Sequence, residues 1–295
     1  MLAYLRNTAA CAVAAAAMTA ASASADGRLG YHIFPATSFN DLQKRGTPPA
    51  GPMFYYGGTV FSNSKVVSVM WNSSVLANTQ QKIPTFTADL VNSTYVDQMA
   101  EYGTHLKGVN GHKGTNQDIG RGSYLGQVVL TPKNQSTSLT DDDVQKELKY
   151  QIKQGNLPKQ DKNTLYMVYF PSNITITLDG AVSCQSFGAY HFSTTSLTKT
   201  TKKSVFYSVE PECNSGFSFL TFAASHEFAE ATTDNSPTPG SNPDFPQAWN
   251  DANGFEVGDK CGGSGTLTDG TNNWTVTQYW LNSKNGCSTG GYHSP

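Results

Sequence analysis

The stretch SLTDDDVQKELKYQIKQGNLPKQDKNTLYMVYF, residues 138–170, contains the two elements that decide the fold class. Thr140 precedes three aspartates, and Asp143 follows it by three positions, which predicts a capped helix start. Lysines gather later in the segment, and Gly155 with a proline soon after it predicts the helix end. The apolar run TLYMVYF, residues 164–170, then predicts a buried strand. A helix that leads into a buried strand is typical of a layered α/β domain.

Strands and helices also alternate along the rest of the chain. KVVSVMW (65–71) and YLGQVVLTP (124–132) predict strands, and IPTFTADLVNSTYVDQMAEYG (83–103) predicts a helix. Shorter strands are predicted at 174–177, 189–192 and 204–209, a further helix at 215–232 and a late strand at 272–280. The pattern predicts a mixed α/β (α+β) fold in a single domain. Its mixed, twisted sheet carries the last helix on one face.

Composition sets the broad class of the protein. The chain has 295 residues, which is enough for one large domain with a full core. Only 14% of residues are charged and the net charge is -2. A basic footprint for nucleic acid or an anionic membrane is therefore absent from the sequence, and we predict no nucleic-acid partner.

The first residues, MLAYLRNTAACAVAAAAMTAASASADGR, predict an export signal. Arg6 precedes an alanine-rich run that is too short to span a bilayer, and small residues around Ala25 form a cleavage site. The predicted organisation is a signal peptide at 1–25, an N-terminal arm or linker at 26–52 and the main domain at 53–295. We therefore expect a secreted or periplasmic protein with no membrane segment in its mature form.

Cleavage of that signal removes Cys11 and leaves an even number of cysteines. Cys184, Cys213, Cys261 and Cys287 allow three pairings, and in an exported chain they predict two disulfides. The simplest pairing joins sequence neighbours, Cys184 with Cys213 and Cys261 with Cys287.

The stretch TFAASHEFAEATTD, residues 221–234, predicts a helix with a metal-binding face. His226 and Glu230 stand four residues apart, so they share one helix face and can bind one ion together. Glu227 lies about 100° around the helix, where a zinc protease holds its general base. A zinc protease carries histidine at the position of Glu230. The exchange makes the site less positive, which favours weaker hydrolysis or a harder ion such as Ca²⁺.

A catalytic zinc ion needs a third protein ligand and an open position for water. The downstream segment WNDANGFEVGDKC offers Asp251, Glu256 and Asp259. We predict Glu256 as the third metal ligand beside His226 and Glu230. Asp259 is predicted to support a ligand, and Asp234 near the helix end is an alternative ligand or supporting group.

Other polar positions are less specific. The glycine-rich segment 101–124 contains His105, His112 and Arg121, which form either a substrate rim with an oxyanion-stabilising group or, as we favour, a solvated loop. His191, in SFGAYHFS, lies on a predicted strand. It is either a structural histidine, which we favour, or part of an edge strand that holds an extended peptide.

Several short motifs resemble one known family. They are YYGG, KVVSVMWN, C…GAYHF, SHEFAEATTD, AWND, GFEVGDKC and QYW…C, between about Phe54 and Cys287. In these motifs the chain resembles the EXORDIUM-like (phosphate-induced protein) family, secreted proteins of plants with bacterial relatives. The resemblance implies export and a shared polar site at His226, Glu227, Glu230, Asp234, Glu256 and Asp259. It implies no settled chemistry.

Two functions are consistent with these patterns. The first is an exported zinc-dependent hydrolase, a peptidase, in which Glu227 deprotonates the attacking water and returns the proton to the leaving amine. Its substrate is an extended peptide or an extracellular polymer. The second is a non-catalytic extracellular protein with a structural Ca²⁺ site or a salt-linked acidic brace, which binds a wall polymer or a partner. The sequence leaves the metal open between zinc, calcium and none, and it leaves the oligomeric state open.

Overall fold

A computed structural model describes residues 33–44, 51–194, 203–238, 243–269 and 271–289. The predicted signal peptide lies outside these ranges. Within them the chain forms one mixed α+β domain with a twisted mixed sheet, five α-helices and two disulfides. No helix in the described ranges is both long enough and apolar enough to cross a bilayer.

The elements follow one another in this order. The helices are α1 (Phe39–Lys44), α2 (Ala77–Val91), α3 (Thr94–Asp97), α4 (Asp141–Gln154) and α5 (Phe217–Thr233). The strands are β1 (Ile33–Phe34), β2 (Phe54–Tyr55), β3 (Asn63–Met70), β4 (Gly120–Val129), β5 (Ser138–Thr140), β6 (Thr164–Phe170), β7 (Thr175–Leu178), β8 (Ala181–Val182), β9 (Ala189–Ser193), β10 (Phe206–Pro211), β11 (Trp249–Asn250), β12 (Ser264–Asp269), β13 (Asn272–Thr277), β14 (Tyr279–Leu281) and β15 (Gly286–Ser288).

The central sheet has six strands in the order β1-β9-β10-β6-β3-β4. Strands β10, β6, β3 and β4 run parallel, while β9 is antiparallel to both of its neighbours. Side chains alternate between the faces of each strand. Val66 and Met70 of β3 therefore join the core that contains residues of α2 and α5, and Val67 and Val69 join the core that contains residues of α4. The domain thus has three layers, with helices on both sides of the sheet.

The stretch around α4 is predicted correctly. The Thr140 hydroxyl accepts a hydrogen bond from the Asp143 backbone N–H, and the Asp143 carboxylate accepts one from the Thr140 backbone N–H. Gly155 ends the helix with φ +77°, a conformation that glycine adopts without strain. The buried strand β6 has the predicted bounds.

The single helix predicted at 83–103 is wrong in its bounds. Helix α2 begins before this range and ends inside it, and α3 and a 3-10 helix at Gln98–Tyr102 follow. The break comes at Ser93, whose hydroxyl accepts a hydrogen bond from the Tyr95 backbone N–H and caps a new helix start. The sequence pattern is helical throughout this range, so the capping serine is the signal that the prediction missed.

The late strand predicted at 272–280 is two strands, β13 and β14, which pair with different partners. Gln278 lies between them, and its backbone N–H donates a hydrogen bond to the carbonyl of Gly263, the residue opposite it in the β12–β13 register. The Trp280 N–H then donates to the Val257 carbonyl, so the chain has left the β12–β13 hairpin by that residue.

Both predicted disulfides are confirmed. Cys184 bonds to Cys213 and connects the turn before β9 to the segment between β10 and α5. Cys261 bonds to Cys287 and connects the segment before β12 to β15. The two bonds therefore constrain two of the segments that surround α5.

The described part of the predicted N-terminal arm packs against the main domain. Strand β1 pairs with β9 at the edge of the central sheet. Phe34 and Phe39 join a small apolar cluster with Phe219 and Phe222 of α5. This part of the arm therefore contributes to the surroundings of α5.

Candidate metal centre

Helix α5 contains the motif His226-Glu227-x-x-Glu230 (HExxE) and lies in the protein interior. Residues 219–233 of the helix are all buried, which is the pattern of a helix that is covered on every side. His226, Glu227 and Glu230 are 1%, 1% and 3% exposed. Ionisable groups at this depth require a partner, because burial of an isolated charge is very costly.

Strand β9 places a second histidine opposite this helix. Because side chains alternate, Ala189 and His191 face α5, whereas Tyr190 and Phe192 face the α4 side of the sheet. The neighbouring strand β10 has the same alternation, and its Glu210 is fully buried close to the helix. His191 is 1% exposed.

His226 and Glu230 form the first contact of the site. His226 Nε2 lies 3.0 Å from Glu230 Oε1, one helical turn away. The Asp259 backbone N–H donates a hydrogen bond of 3.0 Å to the same oxygen, and Asp259 Oδ1 lies 3.9 Å from His226 Nε2. The downstream segment therefore reaches the motif, as predicted.

His191 contacts the remaining acidic side chains. Its Nδ1 lies 3.1 Å from Glu227 Oε2 and 3.7 Å from Glu230 Oε2. Its Nε2 lies 3.5 Å from Glu256 Oε1 and 3.1 Å from the Asp234 carbonyl oxygen. A carbonyl oxygen only accepts hydrogen bonds, so the contact with Asp234 assigns the proton of a neutral imidazole to Nε2.

These contacts define one group of side chains, which we name the α5 cluster. It consists of His191, His226, Glu227, Glu230, Glu256 and Asp259. Its members come from α5, from β9 and from the segment 255–261.

The α5 cluster has a strongly negative environment. Burial, followed by the charges of Asp259 and Glu256, raises the pKa of Glu230 well above its usual range. Burial alone lowers the pKa of His191, but the carboxylates of Glu256 and Glu227 outweigh it and raise that pKa well above the usual value. Burial and the charge of Glu227 raise the pKa of Glu210. All three shifts favour additional positive charge at the cluster.

The Glu227 carboxylate has one oxygen without a hydrogen-bond partner in the described part of the chain. Glu227 Oε2 lies close to His191, but Glu227 Oε1 is buried and accepts no hydrogen bond. Buried carboxylate oxygens are normally satisfied by donors or by a metal ion. This oxygen is the clearest sign that the cluster binds another group.

Two neighbouring groups pack directly on the cluster. The Phe34 ring lies 4.6 Å from the His226 ring, measured between centroids. The backbone of Gly258 passes so close that a Cβ atom there would lie 2.7 Å from His226 Nδ1 and 2.9 Å from Glu230 Oε1. Only glycine permits this approach.

The predicted site residues assemble as a group. His226, Glu227, Glu230, Glu256 and Asp259 all belong to the α5 cluster, and their individual roles stay predictions. The Asp234 side chain turns elsewhere and accepts a hydrogen bond of 2.7 Å from Asn250 Nδ2. Its contribution to the cluster is the backbone carbonyl that contacts His191.

Sequence reasoning undervalued His191 and missed Glu210. The structural role that we favoured for His191 stays a prediction, and the structure adds that His191 contacts three carboxylates of the cluster. Both residues have the same signal in the sequence: a charged or polar side chain at alternate positions of an otherwise apolar strand, on the face that packs against α5. Glu210 Oε1 accepts a hydrogen bond from Ser208, two residues earlier on that face.

The other polar positions make contacts elsewhere. His105 Nε2 lies 2.9 Å from Asp118 Oδ1 at the surface, and Arg121 binds Asp97 through two hydrogen bonds. His112 stacks on an aromatic ring 4.4 Å away. In the described part of the chain these contacts are typical of a solvated loop, which is the interpretation that we favoured for this segment.

The strand that carries His191 is not an edge strand along its whole length. Strand β1 pairs with β9 at Ala189 and Tyr190, so a substrate strand cannot pair there without displacing β1. The hypothesis of an extended substrate on this edge is wrong for those two residues.

The spacing of the ligand atoms fits a metal ion. Two ligands of one tetrahedral zinc ion, each about 2.0–2.1 Å from it, lie roughly 3.3 Å apart. The contacts His226 Nε2–Glu230 Oε1 and His191 Nδ1–Glu230 Oε2 measure 3.0 and 3.7 Å. Two groups, His226/Glu227/Glu230 and His191/Glu230/Glu256, have ligand atoms that all lie within 4.8 Å of one another. Imidazole and carboxylate are ligands that zinc accepts.

Comparison with known proteins identifies no relative: no family model matches the chain, and no curated protein or solved structure is significantly similar to it. The resemblance to the EXORDIUM-like family therefore stays a prediction.

Proposed function

We propose that the protein is an exported metal-dependent hydrolase, with peptidase activity, whose ion is held in the α5 cluster. The observation that carries the proposal is the pair of overlapping buried groups His226/Glu227/Glu230 and His191/Glu230/Glu256, which share Glu230 and include the unsatisfied oxygen of Glu227. His226 and Glu230 supply two ligands, and a carboxylate of segment 255–261 supplies the third: Asp259 Oδ1 lies 3.9 Å from His226 Nε2, and Glu256 shares a group with Glu230. Zinc suits a donor set of imidazole and carboxylate oxygen.

Bound zinc would supply Lewis-acid polarisation of the scissile carbonyl and make water more acidic. Glu227 is the group that handles the proton. His191 contacts its Oε2, which leaves Oε1 to take a proton from the attacking water and then to return it to the leaving amine. The Asp259 N–H holds Glu230 in place, as supporting groups do at metal sites.

The cellular context is consistent with this proposal. Two disulfides fit an oxidising compartment outside the cytoplasm. We therefore propose that the signal at 1–25 directs export and that the substrate is an extended peptide or extracellular polymer. The peptidase assignment is supported by the spacing of His226, Glu227 and Glu230. The three residues occupy the same positions along the helix as the first His, the Glu and the second His of the HExxH motif of zinc proteases.

A second candidate is favoured by the burial of the cluster. His191, His226 and Glu256 are 1%, 1% and 0% exposed, which is typical of a closed structural metal site. In that case the protein binds the ion, calcium or zinc, to stabilise the fold, and it acts by binding a polymer or a partner.

The test compares Glu227→Gln with the wild type in cleavage of casein and of a peptide library. We expect the substitution to lower the rate by roughly 10²–10⁴-fold while the bound metal stays in place, because only proton transfer is lost. The matched control is Glu147→Gln. Glu147 is also buried, but it accepts hydrogen bonds from Gln151 Nε2 and the Lys133 backbone N–H, so this variant should cleave at the wild-type rate.

Equal cleavage by Glu227→Gln and wild type would overturn the proposed mechanism. Bound metal without any cleavage would establish the second candidate, the non-catalytic metal-binding protein.

A further inference from the structure

The two oxygens of Glu230 face two different histidines. Oε1 lies 3.0 Å from His226 Nε2, and Oε2 lies 3.7 Å from His191 Nδ1. A carboxylate with one oxygen toward each of two ligand sets is the arrangement that bridges neighbouring ions in two-metal hydrolytic sites, where the ions lie about 3.5–4 Å apart.

Each side of Glu230 has its own set of ligands. His226 and Glu227 complete one group with Glu230, while His191 and Glu256 complete the other. Asp259 Oδ1, 3.9 Å from His226 Nε2, adds a further carboxylate to the first side. The α5 cluster thus contains two overlapping sets of three ligands.

The contacts of His191 supply a further observation. Its Nε2 lies 3.1 Å from the Asp234 carbonyl oxygen, and a backbone carbonyl often orients a metal-binding histidine in this way. Its Nδ1 then faces Glu227 Oε2 and Glu230 Oε2 at 3.1 and 3.7 Å. A lone pair that faces carboxylate oxygens is repelled unless a proton or a metal ion lies between them.

The unsatisfied oxygen of Glu227 and the number of ligating side chains in the cluster support the same conclusion. Glu227 Oε1 accepts no hydrogen bond in the described part of the chain. The cluster contains four carboxylates, Glu227, Glu230, Glu256 and Asp259. These four carboxylates and the two imidazoles make six ligating side chains, which is more than the four ligands that one tetrahedral zinc ion binds.

We infer that the α5 cluster is a two-metal site in which the Glu230 carboxylate bridges an ion on His226 and an ion on His191 with Glu256. The ion on His191 binds Nδ1 and so replaces the direct contact between Nδ1 and Glu227 Oε2. Glu227 Oε1 stays available to accept the proton of the attacking water. The inference rests on the proposed function, because it adds a second ion to the same site.

The experiment is metal analysis of purified protein after removal of metal with a chelator, reloading with Zn²⁺ and gel filtration. We expect two zinc ions per chain in the wild type and one in His191→Ala. The control Asp141→Asn, whose carboxylate lies on the opposite face of the sheet, should retain two. One ion per wild-type chain, or two ions in His191→Ala, would overturn the inference.

A second measurement on the wild type avoids dependence on the folding of a variant. After reloading with Mn²⁺, two bridged ions give a magnetically coupled electron paramagnetic resonance spectrum, and one isolated ion gives an uncoupled six-line spectrum. An uncoupled spectrum counts against the bridge. If the wild type binds one ion per chain and its cleavage activity is lost in Glu227→Gln, the two-metal inference is rejected and the proposed hydrolase is retained. Two ions without cleavage would support the bridge and reject hydrolysis, and no bound ion would reject both.

Discussion

Two groups of buried carboxylates lie on opposite faces of the same sheet. Tyr190 and His191 are consecutive in β9, yet the Tyr190 side chain lies on the α4 face of the sheet and the His191 side chain lies on the α5 face. On the α4 face, Asp141 accepts hydrogen bonds from the hydroxyls of Tyr190 and Tyr207 at 2.7 and 2.6 Å and from Gln145 at 2.7 Å. Protein donors satisfy both oxygens of this carboxylate.

The α5 face is built differently. Glu227 and Glu230 face an imidazole and other carboxylates, and Glu227 Oε1 accepts no hydrogen bond in the described ranges. Both sites are buried in the same domain, so burial does not distinguish them. They differ in the groups that surround the carboxylates, and this difference indicates two roles for a buried carboxylate. A carboxylate that is satisfied by neutral donors stabilises the fold, whereas the carboxylates grouped around His191 and His226 could hold a metal ion.

The largest expected effect comes from Glu230→Gln, which removes the negative charge shared by both histidines. We expect metal affinity to fall by at least about 100-fold, because Glu230 contacts both sides of the cluster directly and even supporting residues change affinity by roughly 10–100-fold. The measurement is competition for zinc against a chromophoric chelator. Asp141→Asn is the matched control and should bind zinc like the wild type. An equal loss of zinc affinity in both variants would contradict the assignment of metal binding to the α5 face.

The second prediction concerns the disulfides, which close loops of similar length. Replacing Cys261 and Cys287 by serine should lower the free energy of unfolding by roughly 2–5 kcal/mol and also weaken zinc binding, because it frees the segment that carries Asp259. Replacing Cys184 and Cys213 should lower stability by a similar amount. It should change zinc affinity less. Denaturant unfolding and the same zinc competition check both pairs, and the reverse order of zinc affinities would contradict the prediction.

The third prediction uses two glycines of one segment. A Cβ at Gly258 would lie 2.7 Å from His226 Nδ1, whereas a Cβ at Gly262 would meet no heavy atom within 4 Å. Gly258→Ala should therefore cost about 1–3 kcal/mol of stability and displace the metal ligands, and Gly262→Ala should do neither. Thermal unfolding and zinc competition measure the pair. Identical behaviour would mean that Gly258 does not pack on the cluster.

The smallest expected effect lies on the α4 face. Tyr207→Phe removes one of the donors to Asp141 and leaves those from Tyr190 and Gln145. We expect a loss of about 1–2 kcal/mol in the free energy of unfolding and no change in zinc affinity. Denaturant unfolding measures it, and a change in metal binding would show that the two faces are coupled.

Sequence patterns predicted the layers of the fold because the signals are local. The cap formed by Thr140 and Asp143, the stop at Gly155 and the apolar run of β6 each act within a few residues. The helix predicted at 83–103 was wrong because the capping role of Ser93 competes with a continuing helical pattern.

The residues of the site that lie close together in the sequence were predicted. His226, Glu227 and Glu230 share one helix, and the nearby Glu256 and Asp259 follow in one short segment. His191 was undervalued because its position depends on the pairing of β9 with β10, where Ser208 lies opposite it. The polar residues at alternate positions of β9 and β10 are a local signal, but the pairing that brings these strands together beside α5 is not, and Glu210 was missed for the same reason.

The central claim is that the α5 cluster is completed by a divalent cation, and thermal unfolding of the wild type tests it most directly. The protein is unfolded once after removal of metal by a chelator and once with zinc at about a thousandfold excess over its dissociation constant. Binding to the native state should then add roughly 4 kcal/mol, which raises Tm by on the order of 10 °C. The same Tm in both conditions, with no zinc retained after gel filtration, would contradict the account.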